Sequence, residues 1–316
     1  MDNALVIFFG ADRVLFVFFG TEVYMTHLIG AVLYIVLAPF AGGLIAGLDR
    51  KVTAQMQGRH GPPILQPFYD VAKLLGKEKI TVSNGQDFYV MCSLVFMVIS
   101  GAFFFAGSNL LMTIFTLTAG SIFLVLAGYA SNSPYAQLGA EREMLQIMSY
   151  EPMILLSAVG FYMATGSFNV GDIVTSGRFV FPYLAGMFAG YVFVLIIKMR
   201  KSPFDLSMSH HAHQELVKGL TTEFSGRTLA LSEIIHWYEN VFLLGFVFIF
   251  FANGEPRFIV LGVLVALVCY FVIVFIDNSF ARMKWQFTLK SAWMVTLVFG
   301  GGNLFVLYYL RAVFQV

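Results

Sequence analysis

The chain has 316 residues, 59% of them apolar and only 12% charged, and its formal net charge is +1. An ordinary soluble domain carries about twice that charged fraction, and the mean hydropathy here is +0.79. This balance excludes a soluble globule and a strongly basic nucleic-acid binder. The only two cysteines, Cys92 and Cys269, lie in apolar runs. They cannot hold an iron–sulfur cluster or a structural zinc ion by themselves, and they read as small packing residues.

In chain order, residues 1–22 come first, two Phe-rich pieces interrupted by Asp12 and Arg13. They read as an interfacial segment. No basic residue precedes the apolar stretch, which argues against a secretory signal peptide. From residue 23 onward the chain reads as one all-α transmembrane domain of about eight helices, near 23–48, 88–107, 110–130, 152–171, 179–197, 232–252, 258–276 and 291–310. Each run has the roughly 20 residues that a helix needs to cross the hydrocarbon core. Only helices satisfy every backbone group within such a run. The sixth stretch is the exception in composition, because it contains His236 and Glu239 at helical i,i+3 spacing. The GGLIAG segment and Gly300-Gly301-Gly302 suggest close helix packing or helix loosening.

Fifteen of the 19 Lys and Arg residues fall in the loops 49–87, 131–151, 198–233 and 277–290. The other side of the bundle holds Arg13, Arg178, Arg257 and Arg311. The positive-inside rule places the long loops in the cytoplasm of a cell-membrane protein, with both termini outside. Two of these loops exceed 30 residues, a length that usually marks function.

The first long loop turns at Gly61-Pro62-Pro63. Leu65, Phe68, Val71, Ala72 and Leu75 then form the apolar side of an amphipathic helix. The next segment brings Glu141, Glu143 and Glu151 toward the bilayer, with Pro152 placed to open span four. A carboxylate at membrane depth is costly unless it is paired, hydrated or protonated. The third segment, KMRKSPFDLSMSHHAHQELVKGLTTEFSGRTLALSEIIHWYEN, combines Asp205, Glu215, Glu223 and Glu239 with His210, His211, His213 and His236. Carboxylates and imidazoles together can pass protons. A metal site at His210 and His213 lacks the four ligands that a structural site needs.

These loops carry an ordered set of motifs: Asp49-Arg50-Lys51, Arg59-His60-Gly61-Pro62, Gln66-Pro67, Asp70-Val71-Ala72-Lys73-Leu74, Ser149-Tyr150-Glu151, Ser202 to Leu206, Gln214 to Leu216 and Thr222 to Gly226. In this respect the chain resembles the membrane-anchor subunit shared by respiratory complex I and membrane-bound hydrogenases, over about residues 23–311. One departure stands out. Where complex I members have a Glu-Ala-Glu pattern, this chain has His211-Ala212-His213, and the stretch before Gln214 is about three residues longer, close to one helical turn. That form resembles the Ech-type energy-converting [NiFe]-hydrogenases.

The resemblance implies a subunit of a redox-driven ion pump with no redox centre or nucleophile of its own. Iron–sulfur clusters and a Ni-Fe site are expected in partner subunits. The implied partners are hydrogenase-like peripheral subunits, antiporter-like membrane subunits and the lipid bilayer, with no nucleic acid. Glu141, Glu143, Glu151, Asp205, Glu215, Glu223, Glu239 and Asp277 are the implied proton-path positions. Arg50, Arg59, Asp70, Lys73, His210, His211 and His213 are the implied docking positions for the peripheral arm, and no metal ligands are implied. Two other readings stand beside this one, a quinone-site subunit of a complex I-like enzyme and a stand-alone secondary transporter. The transporter would be expected to show internal repeats, and the sequence shows none.

Overall fold

A computed structural model describes residues 13–78, 83–207, 216 and 218–314, without the side chains of 13–26, 84, 313 and 314. Among these residues the secondary structure is helical, apart from one isolated bridge between Asn109 and Asn169. The helices are α1 (Arg13–Met56), α2 (Gln66–Leu75), α3 (Asn84–Phe105), α4 (Leu110–Tyr129), α5 (Pro134–Thr165), α6 (Val170–Thr175), α7 (Ala185–Lys198), α8 (Gly226–Ile249), α9 (Pro256–Ser279), α10 (Trp285–Val295) and α11 (Gly302–Phe314). A π-helical turn, Thr296–Gly301, joins α10 to α11 in one rod. Among the described residues, six rods are long and apolar enough to cross a membrane. The chain is therefore an all-α integral membrane protein.

Several boundaries differ from expectation. The break at residue 22 is absent, because α1 runs from Arg13 through Met56. No proline lies between residues 13 and 22, and one helical glycine costs only about 1 kcal/mol. Residues 1–12 lie outside the described part. Pro152 does not open a helix; it lies inside α5, whose first turn is opened by Pro134 instead. The short approach segment and span four are thus one 32-residue helix. It ends at Thr165, before 171, where Gly166 adopts φ 84°, a left-handed cap that glycine takes without strain. Helix α7 starts at Ala185 rather than 179 and has 14 residues, about 21 Å of rise, because Phe181-Pro182 resists helical continuation.

The α2 face is also rotated from the expected one. Pro67 and Val71 are buried, and the Phe68 ring lies 5.2 Å from that of Trp237 in α8. Leu65, Tyr69 and Leu75 are exposed. The glycines of α1 serve as close contacts. A Cβ at Gly42 would overlap the backbone carbonyl of Trp237, and one at Gly47 would overlap that of Ile64.

Helix α8 is the central post, packed on α1, α3 and α9. Tyr34 donates to the Tyr238 carbonyl at 3.0 Å, and Tyr238 donates to the Ile35 carbonyl at 2.8 Å. Such interhelical bonds hold helices together where lipid removes the hydrophobic drive between them. Helices α3 and α4 are clamped likewise, Ser93 to the Gly120 carbonyl at 2.8 Å and Ser100 to that of Thr113 at 2.9 Å. At one end of the bundle, an aromatic core of Phe161, Tyr191, Phe246 and Phe250 fills the space between α5, α7 and α8. Cys269 is buried in this packing and Cys92 is half-buried; both are free thiols.

Candidate functional site

The opposite end of α7 is polar. Its last residue, Lys198, is buried, and so are Glu143 of α5 and Glu239 of α8. A buried charge is tolerated only when it is paired and hydrogen-bonded, and these residues meet that demand together. The Lys198 ammonium lies 2.8 Å from Glu239 and donates to Ser121 Oγ and Tyr150 OH, each at 2.8 Å. The Arg200 guanidinium grips Glu143, Nη2 to Oε1 at 2.6 Å and Nε to both oxygens at 3.1 Å. Its Nη1 lies 2.7 Å from His236 Nδ1 and 3.5 Å from Glu239. Ser207 donates to Glu143 Oε2. Two cations, Lys198 and Arg200, face two anions, Glu143 and Glu239, with the His236 ring beside them.

Arg200 reaches this place through an unusual backbone. After α7 the chain makes a Schellman turn, the Arg200 amide donating to the Ile197 carbonyl at 3.0 Å and the Lys201 amide to that of Ile196 at 3.1 Å. The left-handed position of that turn normally belongs to glycine. Here it is Arg200, with φ 53°. Such a conformation costs a non-glycine residue on the order of 1 kcal/mol. The charge-assisted bonds to Glu143 outweigh it.

A second cluster lies beside the first. Lys201 pairs with Asp49 of α1 and lies 3.3 Å from Asp277 of α9. Asp277 also accepts from the Ser202 amide at 2.8 Å, and Arg282 bonds Asp205 at 2.9 Å. The Met283 amide donates to the Pro203 carbonyl at 3.0 Å, tying this loop to the one after α9. Three carboxylates here face two cations. Burial pushes Asp205 up to about 7, against the opposing pull of Arg282. Lys201 is held above the usual lysine range: its two aspartates outweigh its burial. Both clusters line one cavity of about 270 Å³. A second cavity of about 290 Å³ shares Arg50, Glu233, His236 and Trp237 with it and continues toward Asp70 and Lys218.

Of the positions singled out from sequence, Glu143, Asp205, Glu239 and Asp277 thus line or join these clusters. Glu141 is exposed, Glu151 is half-buried on α5, and Glu223 is half-buried before α8; the three stand outside both clusters. Arg50 and Asp70 form an exposed ion pair at 2.6 Å. Burial at Asp70 is outweighed by the Arg50 and Gln66 hydrogen bonds, which lower its carboxyl. Arg59 is exposed and reaches Gln57 Oε1 at 2.9 Å, and Lys73 is exposed on α2. His210, His211, His213 and Glu215 lie outside the described residues. Sequence reasoning named Asp49 only within a motif, and missed Lys198, Arg200, Lys201 and Arg282 as site residues. The signal was available: Lys198 ends an uncharged span, and a base at that depth demands an acid partner.

This polar knot joins α1, α5, α8 and α9 to the loop after α7, which carries three of the motifs. The family model described as NADH dehydrogenase matches residues 29–308. The chain belongs to this family. It is similar to an NADH-quinone oxidoreductase subunit from Geobacillus sp. (strain WCH70), 32% identical over 87% of this chain and 90% of the relative. The counterpart from Bacillus thuringiensis subsp. konkukian is 29% identical over 95% of both chains. Among solved structures, a chain of the membrane-bound sulfane sulfur reductase, an archaeal respiratory membrane complex, has the same fold. Its TM-score is 0.75 and its identity 24%, over 89% of this chain and 99% of that one. The chain is a complex I-like membrane subunit of a redox-driven oxidoreductase complex.

Proposed function

We propose that this chain docks the peripheral redox arm of an energy-converting [NiFe]-hydrogenase and starts the charged path along which ferredoxin oxidation and hydrogen evolution drive ion translocation. The observation that carries the coupling role is Arg200. Among the described residues it is the one that touches both buried carboxylates, Glu143 and Glu239, and it sits in a strained turn of a loop at the cavity mouth. A movement of that loop would withdraw Arg200 and leave two carboxylates facing Lys198 alone. One of them would then take up a proton, because two buried anions cannot share one cation at low cost. Asp205, at the cavity wall with its carboxyl pushed up to about 7 by burial, would supply it. The arm would rest on the Arg50–Asp70 pair, Arg59 and Lys73, together with the histidine-rich loop at His210, His211 and His213. The iron–sulfur clusters and the Ni-Fe site would be held by partner subunits, since this chain has only two cysteines, on different helices. The charge asymmetry of the loops supports a cytoplasmic position for the docking face.

The hydrogenase assignment rests on the His211-Ala212-His213 form of the loop. Quinone reduction is the second reading, favoured by the names of the Geobacillus and Bacillus relatives. Eleven of the fifteen residues lining the main cavity are ionisable, a surface suited to water and protons more than to an apolar quinone tail. The deciding experiment purifies the complex through a tag on this chain in mild detergent. Nickel, iron and hydrogen evolution from reduced ferredoxin are expected. Iron without nickel, with quinone reduction, would move the assignment to the second reading.

A further inference from the structure

At the end of the bundle opposite the charged clusters, a cavity of about 520 Å³ opens between the last turns of α5, the segment before α7, and α11. Glu143 and Met163 lie 20 residues apart on α5, about 30 Å, the thickness of the hydrocarbon core. The two cavities therefore lie at opposite membrane faces. Met163, Leu307 and Leu310 give this one an apolar wall, and Arg178 and Arg311 give it two guanidiniums.

Those arginines are two of the four basic residues on this side of the bundle. They are 133 positions apart in sequence, yet the fold brings both to one cavity. None of the described residues lining it is acidic. Arg257, on the same side, is by contrast matched by Glu255 at 3.1 Å. Two like charges at the rim of an apolar cavity repel each other, and an anion between them removes the repulsion. Guanidinium groups suit phosphate in particular, because they can donate two parallel hydrogen bonds. The apolar wall below suits a hydrocarbon chain, and Tyr183 at the rim is a residue type that settles at headgroup level.

We propose that this cavity is a binding site for an anionic phospholipid, its phosphate between Arg178 and Arg311 and one acyl chain along Met163, Leu307 and Leu310. The site is independent of the redox partner and of the substrate of the complex. Basic pockets between membrane helices hold such headgroups on the cytoplasmic side, and this cavity offers the same chemistry at the opposite face.

The test uses the tag-purified complex, delipidated in detergent and offered spin-labelled phosphatidylglycerol or phosphatidylcholine. A preference of about tenfold for phosphatidylglycerol is expected, given two arginines at a membrane surface. The R178Q/R311Q double variant should lose it, and R178K/R311K should keep most of it. Leu310→Trp leaves both charges and fills the chain path, so it should also release the lipid. Equal retention of both lipids by the wild type, or unchanged preference in R178Q/R311Q, overturns the proposal. Displacement of the lipid by millimolar inorganic phosphate would likewise replace it with a simple anion site. A photo-crosslinker at position 183 should label lipid; labelling of a partner subunit would mean that a protein segment fills the cavity, and would also overturn it.

Discussion

The two charge clusters at the end of α7 are neighbours in sequence, through Lys198, Arg200 and Lys201, but they differ in balance. The inner one pairs Lys198 and Arg200 with Glu143 and Glu239, with both carboxylates and the Lys198 ammonium buried and Arg200 only slightly accessible. The outer one offers Lys201 and Arg282 to Asp49, Asp205 and Asp277, and is half-open to the cavity. A balanced buried cluster holds its charges fixed, because losing any partner strands another. A cluster with one surplus acid in contact with solvent keeps one group able to titrate. The first suits a latch and the second a proton donor.

The largest effect should come from breaking the inner balance. Arg200→Met strands Glu143 and weakens the hold on Glu239. It should cost about 3–5 kcal/mol, read as a lower unfolding temperature of the purified subunit, and should abolish coupled turnover. Adding Glu143→Gln should restore much of the stability and none of the coupling. Recovery of both would reduce the network to a structural brace.

Next comes the outer cluster. Asp205 has a raised carboxyl in the folded chain, near 7, so the folded state holds its proton where the unfolded chain has lost it. Wild-type stability should therefore fall as pH rises from about 4 to about 7, and Asp205→Asn should remove that component. The pH profile of coupled activity should lose its inflection near neutrality in the same variant. An unchanged profile would remove Asp205 from the path.

The smaller effects lie outside both clusters. Arg50→Ala breaks an exposed pair, 43% and 40% accessible on its two side chains, and should cost less than about 1 kcal/mol. Its consequence should instead be weaker co-purification of the peripheral arm. Glu141→Gln, two residues from Glu143 but exposed, should change stability by no more than about 0.5 kcal/mol. Proton-translocation assays on Glu141→Gln and Glu143→Gln side by side would show whether burial, rather than sequence position, selects the functional carboxylate.

Much of the membrane architecture could be read from the sequence, because a bilayer imposes length and apolarity on each helix separately. Proline proved less legible than hydropathy. Pro134 opens α5 and Pro152 lies within it, and no local rule separates the two roles when neighbouring helices can support the second. The amphipathic α2 was visible as a helix, but its buried face was set by where Trp237 stands on α8.

At the site, His236 and Glu239 were legible as a pair, since three residues along a helix fix their proximity; they lie 3.4 Å apart. Glu143 and Glu141 looked alike in sequence, and only packing decided which of them enters the protein. The basic run at the end of α7 counts, by sequence, only toward the cytoplasmic loop charge, while in the fold it supplies cations to both clusters. By itself the sequence determined an all-helical membrane chain with charged loops and family motifs, because these follow from local composition and order. The tertiary structure alone decided which charges meet, because pairing Lys198 with Glu239, or bringing Arg178 and Arg311 to one cavity, depends on how helices far apart in sequence come to lie side by side.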